Sequence, residues 1–131
     1  MNISRMKRIN MILLLLLFGL LNKNFSMAES ISTKHEIELS GKLSLRTFLD
    51  ANGKAEKEFV LTLLTPISVA KDEFGGPVNE ITEIQMVLPS HVKGIKYSGK
   101  HVVVKGVLFY PITAHHHTKV LMEVKTIRST K

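Results

Sequence analysis

"EIELSGKLSLRTFL", residues 36–49, alternates in character along its length. Ile37, Leu39, Leu43, Leu45 and Leu49 fall on one parity, and Glu36, Glu38, Lys42, Ser44 and Arg46 on the other. Successive side chains of a strand point to opposite faces, so this is a long strand with one face in a core. Gly41 falls on the apolar face, where a glycine marks a bend or a close backbone approach. Working outward, "DANGKAE" (50–56) is a turn in which Asn52-Gly53 suits positive φ. "EFVLTLL" (58–64) returns as the hairpin partner and buries Phe59, Leu61 and Leu63. Pro66 ends or bends it, leaving "PISV" free to resume pairing.

The rest of the chain follows the same reading. "KDEFGGPVNE" (71–80) is a loop, and "ITEIQMVL" (81–88) is a third strand with Ile84, Met86 and Leu88 on one face. In "PSHVKGIKYSG" (89–99), Pro89 and Ser90 favour a helical start and Gly99 a stop, which leaves room for one or two turns. "KHVVVKGVLFY" (100–110) is apolar on both parities: Val102, Val104 and Leu108 against Val103, Val107 and Phe109. Such a strand is covered on both sides or lies in a strongly curved sheet, and Gly106 supplies a second bend. "TKVLMEVKTI" (118–127) is the last strand, with Val120, Met122 and Val124 inward. Five strands with a short helix between the third and fourth is the order of an OB-fold barrel, an all-β architecture with little helix. The mid-strand glycines suit the coiling that closes a small barrel. Another small β-barrel or an α+β roll is the alternative.

Residues 1–28 stand apart from this pattern. Arg5, Lys7 and Arg8 precede an uncharged apolar run from Ile9 to Leu21, and "SMA" places Ser26 and Ala28 before a cut at Glu29. This is the pattern of a cleavable signal peptide, and the run is short for a membrane span, which takes about 20 residues. An uncleaved anchor is the competing reading. The expected product is a single domain, 29–131, periplasmic or secreted, with no stable membrane anchor. Four of the 18 basic residues and none of the 11 acidic ones lie in the leader, so the whole-chain charge of +7 falls to +3. That balance gives no electrostatic footprint for nucleic acid. The chain has no cysteine, so the exported domain is held by its core without disulfides or cysteine-bound zinc.

Several stretches, "GKLSLRTF", "LTLLTPISV", "IQMVL", "GKHVVVKGVLF" and above all "AHHHTKVLMEVKTI", resemble the bacterial exported domain-of-unknown-function family numbered 4431. The resemblance implies an exported β-rich domain and supplies no activity. The family commonly carries a proline after the threonine, where this chain has Lys119. That difference removes a rigid φ and frees a backbone N–H.

The histidine run His115, His116, His117 with Thr118 is the candidate site. In an OB-like barrel it falls between the fourth and fifth strands, beside the usual ligand face. If the last strand's alternation runs backwards, His116 and Thr118 share the parity of Val120, and His115 and His117 point together the other way. Three readings compete. The imidazoles are loop-bonded and solvent-facing; or they form part of a contact surface for a protein or small ligand, with pH sensing as a variant; or they bind zinc or another transition metal. The metal reading needs a third ligand, with His101 or Glu123 the candidates and His91 and His35 less well placed.

Tyr110 joins the ligand-contact candidates, although Tyr110, Phe109, Tyr97 and Phe74 suit core packing better. Asp72, Glu73, Glu80 and Glu83 read as a solvated acidic patch, and Lys93, Lys96 and Lys100 as a solvated face by the short helix. Neither a G-x-S-x-G elbow nor a carboxylate pair with acid/base spacing occurs, and Ser90-His91 are merely adjacent. The expectation is therefore a non-enzymatic exported binding module docking on a periplasmic or secreted protein, inhibitor-like or immunity-like. The alternative is a periplasmic metal- or small-ligand-binding protein using the His115–His117 loop.

Overall fold

The computed structural model describes residues 30–130; the leader expected over 1–28 lies outside the described residues. The strands are β1 (Ile37–Leu49), β2 (Ala55–Val69), β3 (Val78–Val87), β4 (His101–Phe109) and β5 (Leu121–Ser129). They close in the order β1-β2-β3-β5-β4, with β4 returning to β1. Only β3 and β5 run parallel; the other pairs are antiparallel. This is the OB-like five-stranded barrel. The short helix expected before β4 is a single 3-10 turn, Gly94–Tyr97.

Closure depends on the length of β1. Its first part, Ile37–Lys42, pairs with β4, while Gly41–Leu49 pairs with β2. Gly41 pairs with both, opposite Leu63 and Val102. A Cβ at Gly41 would collide with the carbonyl oxygen of Thr62, and one at Gly106 with that of Glu123. Both bends expected from sequence are thus places where neighbouring backbones come too close for a side chain.

Leu39, Leu43, Leu61, Ile84, Met86, Val102, Val104, Leu108, Met122 and Val124 fill the barrel. Leu45 and Leu49 share the apolar parity of β1 but are 38% and 69% exposed, because the hairpin projects beyond the part of β1 that β4 covers. Pro66 bends β2 rather than ending it. Between the pairs Thr62↔Glu83 and Ile67↔Ile81, four residues of β2 face one of β3, and the proline sits in this bulge.

One feature breaks the inside–outside alternation. Val60, Gln85 and Leu121 pair in register across β2, β3 and β5 and sit on the outer parity, yet all three are buried. Gln85 holds backbone groups of His115 and His117, so the segment between β4 and β5 lies over this outer face. It forms a second small layer outside the barrel, and that layer carries the histidines.

Candidate functional site

The β1–β2 hairpin makes one side of the site. Asp50 Oδ1 accepts the N–H groups of Asn52 and Lys54, and Gly53 takes φ 79°, so the turn is tight and the register beside it is fixed. That register sets Phe48 opposite Glu56.

The other side is the loop 111–120. It does not extend β5 backwards: the strand begins at Leu121, and the expected alternation of the histidines is replaced by a turn. Buried Gln85 treats the loop as a missing strand. Its Oε1 accepts the His117 N–H at 2.8 Å and its Nε2 donates to the His115 carbonyl at 3.0 Å. The Gln85 N–H donates to Thr118 Oγ1 at 2.9 Å, and that hydroxyl donates to the Val120 carbonyl at 2.6 Å. An amide side chain supplies one donor and one acceptor end, which is what a strand-like partner requires.

All three imidazoles are engaged. His115 Nδ1 donates to Glu56 Oε1 at 2.6 Å and His117 Nε2 to Glu56 Oε2 at 2.8 Å. A carboxylate only accepts, so these contacts fix the protonated nitrogen of each ring. The hydrogen bond from His117 holds the Glu56 carboxyl below its ordinary value of 4.5, with His115 adding to it against the opposing effect of burial. The His117 side chain is 11% exposed and that of His115 71%. His117 also stacks on Phe48, over which the Arg46 guanidinium lies at 5.3 Å, and Arg46 pairs with Glu83. His116 turns back on its own loop: Nδ1 accepts the N–H groups of Ile112 and Thr113 at 3.0 and 3.3 Å, leaving the ring proton on Nε2.

Chemically this arrangement is a lock. The two carboxylate oxygens are each taken by a different ring, so the rings flank Glu56 rather than converge on one point. Among the described residues no group of three His, Cys, Asp or Glu is arranged to hold a metal ion. His101 begins β4, opposite Lys42, at the far end of that strand from the loop, so the trio His115, His117 and His101 is not brought together. Glu123 lies on β5 between Val87 and Val107, and lines a groove with His116 rather than meeting His115 and His117. Tyr110 is a core residue, 3% exposed, whose hydroxyl donates towards the carbonyls of Val69 and Ala70. Burial raises its phenol above the ordinary range, with Asp72 adding to the effect.

Two depressions flank the loop. A cleft of about 280 Å³ lies among Arg46, Phe48, Glu80, Glu83, His117 and Lys119. A larger groove of about 480 Å³ lies among Phe74, Val87, Phe109, Ile112, His116 and Glu123.

Part of the barrel and the histidine loop match a known family model. Residues 83–128 match the family model described as Domain of unknown function (DUF4431). This is the family that the sequence resembles. The DUF4431 match takes in Gln85, β4, the three histidines, Thr118 and most of β5. It leaves β1 and β2, with Phe48 and Glu56, outside. A search of curated proteins finds no match.

Glu56, Gln85, Phe48 and Arg46 belong to the site but are not singled out by the sequence. Gln85 does carry a signal, as the amide set between Ile84 and Met86 in the apolar end of β3. Glu56 carried none, since it reads as one charge among several in "KAEKE".

Proposed function

We propose that this chain is an exported, non-enzymatic binding module that docks on a periplasmic or secreted protein, in an inhibitor-like or immunity-like role. One observation carries the reading. A loop fixed at every histidine holds Ile112 out in water at 64% exposure, across a groove from Phe74 at 66% and above Val87 at 40%. Apolar side chains held together at a surface by a rigid frame favour docking, because their ordering cost is met before the partner arrives. The Glu56–histidine contacts serve that frame. Export rests on the leader pattern of residues 1–28.

The small-ligand alternative draws support from the cleft between Arg46 and Lys119, where both charge signs and a stacked aromatic meet.

The test is to express the full chain, fractionate the cells, and read the mature N-terminus by mass spectrometry. The processed protein is then used to capture partners from the exported fraction, and the interaction is rebuilt from purified components. Cleavage before Glu29 and a stoichiometric protein partner support the reading. A chain retained in the cytoplasm, or binding only small molecules in the Arg46–Lys119 cleft, contradicts it.

A further inference from the structure

Building on the docking reading, we infer that the groove beside the histidine loop receives an extended segment of the partner in which a bulky apolar side chain neighbours a lysine or arginine.

Both walls of the groove are built loops. On one side, Asp72 Oδ1 accepts the N–H groups of Phe74 and Gly75, while its Oδ2 accepts the Thr33 hydroxyl, which sets Phe74 at the rim. On the other, the N–H groups of Ile112 and Thr113 are tied to His116 Nδ1. Phe74 and Ile112 therefore stand exposed on backbones that are not free to fold them away.

The floor identifies the occupant. Glu123 lies in register between Val87 and Val107, beside Phe109, so its carboxylate rises from apolar surroundings. Among the described residues no cation pairs with it. Lys125, the nearest on its own strand, pairs with Glu36 instead, at 3.7 Å. His116 at the rim is turned to its own loop, its Nδ1 taken by the N–H groups of Ile112 and Thr113, and it forms no ion pair with Glu123.

Covering this floor with a purely apolar partner would strip water from an unpaired carboxylate, at a cost that offsets much of the apolar gain. A partner bringing a cation beside its apolar side chain removes that penalty and gains a charge-assisted hydrogen bond. The same carboxylate rejects acidic segments, which gives the groove selectivity as well as affinity.

The experiment is a selection of random heptapeptides displayed on phage against the full chain, purified as the cell processes it. Enriched sequences are then synthesised with a fluorophore and titrated by polarisation. The expected sequences carry Leu, Ile, Phe or Met within two positions of Lys or Arg. Glu123→Gln should weaken them about three- to tenfold, as loss of one partly covered ion pair does. Phe74→Ser and Ile112→Ser, read singly and together, should weaken them about tenfold or more, as anchor loss does. Both positions are well exposed, so the variants keep the fold, which thermal unfolding checks.

Peptides that need Phe74 and Ile112 but show no basic preference, or bind Glu123→Gln equally well, overturn the partner chemistry and leave the docking face standing. Peptides indifferent to all three residues, or no enrichment at all, overturn the inference outright. In that case the docking reading is judged separately, by partner capture.

Discussion

Phe48 lies flat on His117, with ring centroids 4.5 Å apart and planes within 2°, and the same Phe48 is the register partner of Glu56, which binds His117 Nε2. One pair of residues in the β1–β2 hairpin thus grips one histidine by its face and by its edge. Glu56→Gln keeps the size of the side chain but removes its charge and one of its two acceptor oxygens. We expect this change to speed amide exchange at His115 to Thr118 while leaving Val102, Val104 and Met122 protected. Equal protection in variant and parent would show that the loop does not depend on the carboxylate.

Gln85 is 2% exposed and serves both sides of the histidine run. Gln85→Leu leaves the His117 N–H and the His115 carbonyl without partners beneath the loop. The expected loss is about 1–3 kcal/mol in denaturant unfolding, the cost of stranding buried polar groups. A neutral or stabilising result would mean that the loop rearranges and the outer layer over Val60 is not fixed.

The barrel closes only if backbones meet at Gly41 and Gly106. Alanine at either position forces a strand apart, because the obstacle is a backbone carbonyl rather than a flexible side chain. Each variant should lose about 1–3 kcal/mol, as overpacking does. Gly53→Ala, at the open hairpin tip, tests positive φ without a clash and separates the two effects.

Much of this frame is legible in the sequence. Alternation around Leu39 and Leu43, two mid-strand glycines and turn residues at Asn52-Gly53 are local signals, and they specify the strands and their bends. The loop over Val60 was not legible, because it depends on Gln85 meeting His115 and His117 from about thirty residues away, at sequence separations of 30 and 32. Parity predicts a backward extension of β5, but the turn at 113–116 wins through His116 bonding its own backbone. The histidines were recognised as a site, whereas their partner Glu56 lies 59 and 61 residues away in an unremarkable charged stretch.

Acid should loosen both the histidine loop and the Phe74 loop. The Glu56 carboxyl lies below its ordinary 4.5 because His117 and then His115 bond its charged form. The Asp72 carboxyl lies below its ordinary 3.8 through the Thr33 hydroxyl and then the N–H groups of Phe74 and Gly75. Burial opposes both shifts. A carboxyl whose folded value is depressed stabilises the fold above its ordinary value, and that contribution disappears as pH falls through the folded value. Urea unfolding from about pH 7 to about pH 3 should therefore show the gap between parent and Glu56→Gln closing below 4.5, and the gap to Asp72→Asn closing below 3.8. A gap that stays constant across that range would show that neither charge matters to stability.

The most direct measurement compares the parent with the Phe74→Ser/Ile112→Ser double variant in capture from the exported fraction, followed by titration of the purified partner. Surface changes of this kind should leave unfolding within about 0.5 kcal/mol of the parent. The docking account requires one partner bound stoichiometrically by the parent and lost by the double variant. A partner held equally by both proteins, or no partner at all, would contradict it.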